Sequence, residues 1–417
     1  MSIKLRLIIM NFLQFGVWGA YLTSMGSYLA TTDMASYIGM FYAMQGIVSL
    51  FMPAVMGIIA DRWVPAQRML GICHLLAALF MGGAGYYALQ GGGGAVWPLF
   101  ILYSLSVAFY MPTIALSYSV AYAVLESCGE DTVTAFPPIR VWGTVGFICS
   151  MLVCDFAGFQ HSAMQFIQSA VLALILGLYC FSLPHCPTSS GSKGLAEALG
   201  LRAFALFKQR RMALFFIFSM LLGVSLQITN GFANPFISSF KDIPEFASSF
   251  GANHANALIS LSQISETLCI LLIPFFLKRF GIKYVMLIAM LAWVLRFALF
   301  GLGNPGSGVW MFILSMIVYG IAFDFFNISG SLYVNEQTDD SIRSSAQGLF
   351  MIMTNGIGAT IGTLVAQGVV NRFVYSQSEG IAQIAGWQTS WLIFAAYALV
   401  VAVLFAILFK RKYVQTK

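Results

Sequence analysis

Over 417 residues the chain is 59% hydrophobic and only 9% charged, whereas a soluble domain carries about 25% charged residues. This excludes an ordinary soluble protein and fits a chain that crosses a bilayer repeatedly, at roughly 20 residues per helix. The formal charge of +6 therefore has to be read by where the cations fall.

In chain order, apolar runs bounded by charges or turn residues predict twelve spans. They begin near Arg6, Ser36, Met69, Val96, Pro137, Ser162, Met212, Ala255, Tyr284, Ser307, Ser344 and Gln388. The breaks have turn chemistry: "QGGGGA" at Gln90 to Ala95, "GNPGSG" at Gly303 to Gly308, and the polar stretch "PHCPTSSGSKG" from Pro184 to Gly194. The last lies near the middle and predicts a division into 1–184, a cytoplasmic linker 185–211, and 212–417.

The amino terminus, "MSIKLRLIIMNFLQFGVWGAYL", has a basic start like a secretory leader. Its apolar run is too long for one, holds Asn11 and Gln14, and lacks a small-residue cleavage site, so it reads as span one. Lys4, Arg6, Arg62, Arg68, Lys193, Arg202, Lys208, Arg210, Arg211, Lys278, Arg279, Lys283, Arg343, Lys410, Arg411 and Lys412 all fall on one side of a twelve-span zigzag. The other side has little beyond Lys241 and Arg372, so both termini and the linker are expected in the cytoplasm. The seven cysteines are scattered without a C-x-x-C pair, which argues against a metal centre or a disulfide framework.

The halves echo one another. "GIIADRWVPAQR" (Gly57 to Arg68) follows span two, and the short basic "LKRFGIK" (Leu277 to Lys283) follows span eight. "RVWGTVGF" opens span five and "RSSAQGLF" opens span eleven, with Arg and Phe at the same separation. The expectation is an all-α membrane protein of twelve transmembrane helices in two six-helix pseudo-symmetric halves, with any substrate site near the midplane between repeats.

The stretch "GxxADRW" resembles the first-loop signature of the major facilitator superfamily, with the usual following basic pair reduced to Arg68. The segments "FPPIRVWGTVGF", "RMALFFIFSMLLGVSLQITN", "SQISETL", "WVLRFALF", "MIVYGIAFDFFNISGS" and "MTNGIG" resemble bacterial nucleoside:proton symporters of that superfamily, and the likeness runs from the first span to the last. It implies import of purine and pyrimidine nucleosides by alternating access, with the proton as coupling ion and no other cofactor. It also implies a bacterial cytoplasmic (inner) membrane, and it favours a ligand role for Arg140.

The polar residues inside the spans tell the same story on physical grounds. A charge at mid-bilayer costs about 3 kcal/mol or more, so it needs a cavity, a partner or a function. Arg140, Thr144 and Phe147 in span five share one helical face, as do Gln227 and Asn230 in span seven, Gln263 and Glu266 in span eight, and Tyr319 and Phe323 in span ten beside Asp324. Carboxamides can pair with hydroxyls and base edges, and aromatic rings can stack on a base. An uncharged nucleoside such as uridine or adenosine suits this set, whereas two carboxylates would repel a nucleotide's phosphate.

Asp324, among Phe323, Phe325 and Phe326, and Glu266 are the expected proton-coupling groups, because desolvation penalises the ionised form and lets a proton come and go as water access alternates. Asp61 and Arg62 are the expected gating pair. Arg296 has no partner visible in sequence and reads as structural. Nucleosides, protons and membrane lipids are the expected partners, with no nucleic acid and a functional monomer. An uncoupled nucleoside facilitator, or a sugar or polyol:proton symporter of the same superfamily, is the alternative. No H-E-x-x-H, G-x-S-x-G or G-K-[ST] motif occurs, so neither a catalytic residue nor a metal is expected.

Overall fold

A backbone crossing hydrocarbon must satisfy its own hydrogen bonds, so each apolar run becomes a helix. The computed structural model describes residues 2–91, 96–186 and 201–409, and among these there is no strand. Most of the Gly-rich turn, the central linker over 187–200 with Lys193, and the basic tail from Lys410 lie outside the described residues.

The helices are α1 Ile3–Gly19, the short α2 Met25–Thr31, α3 Ile38–Ser49, α4 Met52–Arg62, α5 Ala66–Leu89, α6 Val96–Ser127, α7 Thr132–Phe156 and α8 Met164–Cys180. After the linker come α9 Arg210–Ser239, α10 Ala255–Ile270, α11 Ile273–Leu302, α12 Val309–Gln337, α13 Asp340–Met351, α14 Ala359–Phe373 and α15 Ile381–Leu408. Eight stretches are long and apolar enough to cross a membrane alone, and α3 with α4, bent by 40°, makes a ninth. The shorter α8 is apolar too, and α1 and α10 lie where spans one and eight are expected. Gly281, at φ 76°, interrupts α11 inside "LKRFGIK", so the first turns of α11 continue span eight and the remainder is span nine.

Three expectations shift. Span five begins at Thr132, before Pro137 and Pro138, because its first turn is anchored by the Ala135 amide donating to the Asp131 carbonyl (2.9 Å). The last span begins at Ile381, directly after Gly380 turns the chain at φ 87°. The predicted linker is partly folded: Leu201–Lys208 winds as a 3₁₀ helix that buries Ala203 and Leu206, three residues apart.

By contact density the chain forms two units. Unit 1 comprises Met1–Leu199, Asn230–Ser238 and His254–Ser260; unit 2 comprises Gly200–Thr229, Ser239–Asn253 and Leu261–Lys417. In unit 1, α1 and α7 cross backbone to backbone on two glycine pairs. A Cβ at Gly19 would stand 2.4 Å from the Phe147 carbonyl oxygen, and one at Gly146 would stand 2.0 Å from that of Phe12. Small residues permit such close approach, the main source of helix association where both lipid and helix are apolar.

A buried polar staple ties α1 to α5 and α6. The Gln14 amide donates to Thr113 Oγ1 (2.7 Å) and its oxygen meets His74 Nε2 (2.7 Å), while the Tyr110 hydroxyl donates to the Gln14 carbonyl (2.9 Å). Asn11 turns back to the Leu7 carbonyl of its own helix.

The crossing yields a test. Gly146→Leu should lower stability in detergent by about 1–3 kcal/mol through overpacking, read as an earlier thermal midpoint. Gly57→Ala, where a Cβ meets nothing within 4 Å, should leave the midpoint unchanged. Equal midpoints for both variants would contradict the close crossing.

Candidate functional site

In unit 1 the α1–α7 crossing decides what Arg140 can reach. The missing side chain at Gly143 leaves room for the Phe15 ring, which a Cβ there would meet at 2.6 Å, and for the guanidinium of Arg140 at 2.9 Å. Arg140 Cζ lies 3.9 Å from the Phe15 ring centroid, and its Nε donates to the Tyr118 hydroxyl (2.7 Å). The guanidinium lies near two aromatic rings, its Cζ 5.7 Å from the Tyr118 centroid as well, and among the described residues no carboxylate pairs with it. Its remaining N–H groups are available to a ligand.

One turn on, Thr144 is half-buried, and Phe147 packs edge-on against Trp18 (6.3 Å, 89°). The Trp18 indole Nε1 is buried and has no hydrogen-bond partner among the described residues. Asn230 belongs to this unit and is half-buried.

Unit 2 gathers the other predicted residues. Gly320 lets α12 approach α10, where a Cβ would be 2.6 Å from the Ser265 carbonyl oxygen, and this contact sets Gln263 and Glu266 beside Tyr319 and Asp324. Tyr319 and Phe323, one turn apart, lie parallel at 5.7 Å with 6° between their planes. Gln263 is within reach of the Tyr319 hydroxyl. Asp324 is 5% exposed, its Oδ2 has no hydrogen-bond partner, and it makes no ion pair among the described residues. Glu266 lies on α10 next to Ser265, the residue that Gly320 of α12 meets. Gln227, buried on α9, belongs to the same unit.

Arg296 does have partners. Fully buried, it donates through Nη1 to the Ser315 carbonyl (2.6 Å), and its Cζ lies 4.7 Å from the Tyr319 ring centroid and 5.1 Å from that of Phe300. Ser315 Oγ returns a bond to the Arg296 carbonyl (3.0 Å). The cation thus staples α11 to α12 and supports the ring of Tyr319 from beneath. A small cavity of about 20 Å³, room for one water, lies against Phe323, Asn327, Trp293 and Asn355. Asn355 sits in a π-helical stretch, Ile352–Gly358, which links α13 to α14; such bulges often mark functional positions.

The structure therefore clusters Gln263, Glu266, Tyr319, Phe323 and Asp324 in unit 2, and in unit 1 it aligns Arg140, Thr144 and Phe147 along α7. The side chains of the predicted gating pair Asp61 and Arg62 lie outside the described residues; their backbone closes α4. Sequence reading missed Phe15, Trp18 and Tyr118 around the unit 1 residues. The spacing of Gly16 and Gly19 against Gly143 and Gly146 was the available signal, since it turns that face of α1 toward α7.

Comparison with known proteins bears on this geometry. A family model described as nucleoside H+ symporter matches residues 1–414. The nucleoside permease NupG of Escherichia coli (strain K12) is 49% identical over 423 residues, covering 100% of this chain and 98% of the relative. The xanthosine permease of the same organism is 47% identical over 415 residues, covering 98% and 96%. A crystal structure of the nucleoside transporter NupG superposes with a TM-score of 0.90 at 48% identity, covering 99% of this chain and 100% of that one.

The Arg296 staple makes its own prediction. Arg296→Lys keeps a buried charge but cannot lie over two rings while donating to Ser315, so stability should fall by about 2 kcal/mol. Arg296→Met, which removes the charge at similar volume, should cost less. Thermal unfolding of the purified variants checks the order, and a Lys variant as stable as the parent would contradict the staple.

Proposed function

The chain belongs to the nucleoside H+ symporter family and is a proton-coupled nucleoside transporter with the major facilitator fold, not an enzyme; on that premise we propose that Asp324 carries the coupling proton and that its neighbours in unit 2 hold the nucleoside. The observation that supports this is the Asp324 carboxyl itself, 5% exposed with an unpartnered Oδ2. A carboxylate left ionised and unpartnered in such a place costs several kcal/mol, so Asp324 has a use for a partner that comes and goes, and the coupling proton is one.

In this reading the protonated Asp324 becomes a hydrogen-bond donor and Glu266 an acceptor for ribose hydroxyls. The parallel Tyr319 and Phe323 rings, 5.7 Å apart, offer an aromatic surface to a purine or pyrimidine, and Gln227 and Gln263 address polar edges. In unit 1, Arg140, Thr144, Phe147 and Asn230 are proposed nucleoside contacts, Arg140 through the N–H groups that Tyr118 does not use. Proton and nucleoside are then released together by alternating access, with Asp61 and Arg62 as gating residues, uridine and adenosine as representative substrates, and a monomer as the working form.

We place the protein in a bacterial inner membrane with both termini in the cytoplasm. The salt bridge of Lys4 to Glu130 (2.9 Å) and the bond from Arg6 Nη1 to the Ser182 carbonyl (3.2 Å) gather the amino terminus, the turn before α7 and the end of α8 at one end of unit 1. Basic residues concentrate at that end.

Radiolabelled uridine uptake into proteoliposomes tests the assignment. At one proton per nucleoside, an inward gradient of one pH unit supports accumulation of about tenfold, the 1.36 kcal/mol of a tenfold ratio. Asp324→Asn should abolish accumulation while exchange of labelled for unlabelled uridine persists. Glu266→Gln should chiefly raise KM. Accumulation by both variants at the native level would refute the assignment of the proton.

A further inference from the structure

At the end of unit 1 opposite Lys4 and Glu130, a second polar cluster is built around one buried carboxylate. Asp155, in the last turn of α7, is 3% exposed. Its Oδ2 accepts the backbone N–H of Ala257 (2.8 Å), in the first turn of α10; its Oδ1 accepts from Gln160 Nε2 (3.1 Å) and meets His254 Nδ1 (3.0 Å). It is thus a helix cap supplied from another helix, placed where the exposed N–H groups and the α10 dipole favour an anion.

Around it runs a continuous buried network. Asn256 Oδ1 accepts from Thr23 Oγ1 (2.9 Å) and from Asn234 Nδ2 (2.7 Å), and Asn234 Oδ1 accepts from Ser27 Oγ and from Ser238 Oγ (3.1 Å). Ser24 Oγ donates to Gln165 Oε1 (3.0 Å). Asn234 and Asn256 are fully buried, and Gly26 meets the backbone of Gly231 so closely that a Cβ would stand 2.2 Å from its carbonyl oxygen. This cluster explains why Asn230–Ser238 and His254–Ser260, both from the second half of the chain, pack as part of unit 1.

The chemistry suits a joint that opens. A hydrogen bond between protein groups exchanges for bonds to water at a small net cost, so a polar seal facing the aqueous side can part and close again. A carboxylate bound by three donors supplies orientation that neutral pairs alone would not. We infer that Asp155 is a positioning residue of the transport cycle: it clasps the first turn of α10 to α7, and release of that clasp is the step that opens the outer side to nucleoside. The inference rests on the transport reading above.

Cys154, fully buried beside Asp155 and 3.4 Å from Ser24 Oγ, serves as the reporter. In full-length protein retaining Cys154 as its sole cysteine, in right-side-out vesicles, a membrane-impermeant maleimide should modify Cys154 slowly. Asp155→Ala should raise that rate about tenfold by shifting the closed–open population, and Asp155→Asn should raise it less. Because Asp155→Ala can lower stability, a second arm uses Ser27→Cys with Asn234→Cys in a background lacking the other cysteines: oxidation should abolish uridine uptake and reduction restore it. Unchanged Cys154 modification in Asp155→Ala, or native uptake by the cross-linked protein, would overturn the clasp. Absence of uridine uptake in the reduced parent would instead count against the transport reading, while the labelling rates would still judge the clasp.

Discussion

The rest of the structure is organised by the difficulty of keeping an ionised group out of water. In a chain with 9% charged residues, Asp324, Asp155, Arg140 and Arg296 stand inside or at the ends of spanning helices, and each meets the problem differently. Asp155 is bound by donors, and Arg296 by a carbonyl and two rings. Arg140 keeps a half-exposed position over Phe15 with one donor engaged. Asp324 is deeply buried with one carboxylate oxygen that finds no partner among the described residues, whereas Arg296 leaves only its Nε without one. A carboxyl so placed is the one on which the proposed coupling of proton and nucleoside flows rests.

Glycine makes these placements possible. Gly143 and Gly146 bring α1 under α7 so that Arg140 lies on Phe15, and Gly320 brings α10 against α12 so that Glu266 is beside Asp324. In unit 2 the same device recurs where Gly223 meets Thr354, whose carbonyl oxygen a Cβ would approach to 2.2 Å, next to the π-helical stretch that carries Asn355. Close crossings fix side chains more firmly than loops can, which is useful where a misplaced charge is expensive. The polar clusters then separate into two kinds. The Gln14 staple and Arg296 hold helices together, whereas the donors on Arg140 and the oxygen on Asp324 are left for something else.

Much of this was legible in the sequence because the physics of burial is one-dimensional there. Twelve apolar runs must become helices, so their number and order followed from composition and turn residues. Their ends followed less well, as Thr132 and Ile381 show, because prolines and polar residues within an early turn do not stop a helix whose start is anchored. Asp324 and Glu266 stood out as carboxylates in apolar surroundings, whereas Phe15, Trp18 and Tyr118 did not, since aromatics in a membrane helix are ordinary until a neighbour is known. The partners of Arg296 were invisible because a backbone carbonyl and two ring faces leave no residue-type signal. The Asp155 cluster was missed for a related reason: its donors come from separated stretches of chain, and a carboxylate at a helix end looks solvated until the fold buries it.

The proposal that the coupling proton enters through Asp324 can be tested without following the nucleoside at all. With a pH-sensitive dye trapped in proteoliposomes held at equal pH on both sides, addition of external uridine should acidify the lumen for the native protein and leave it unchanged for Asp324→Asn. Acidification of equal rate and extent in both would show that another group carries the proton and would contradict the account.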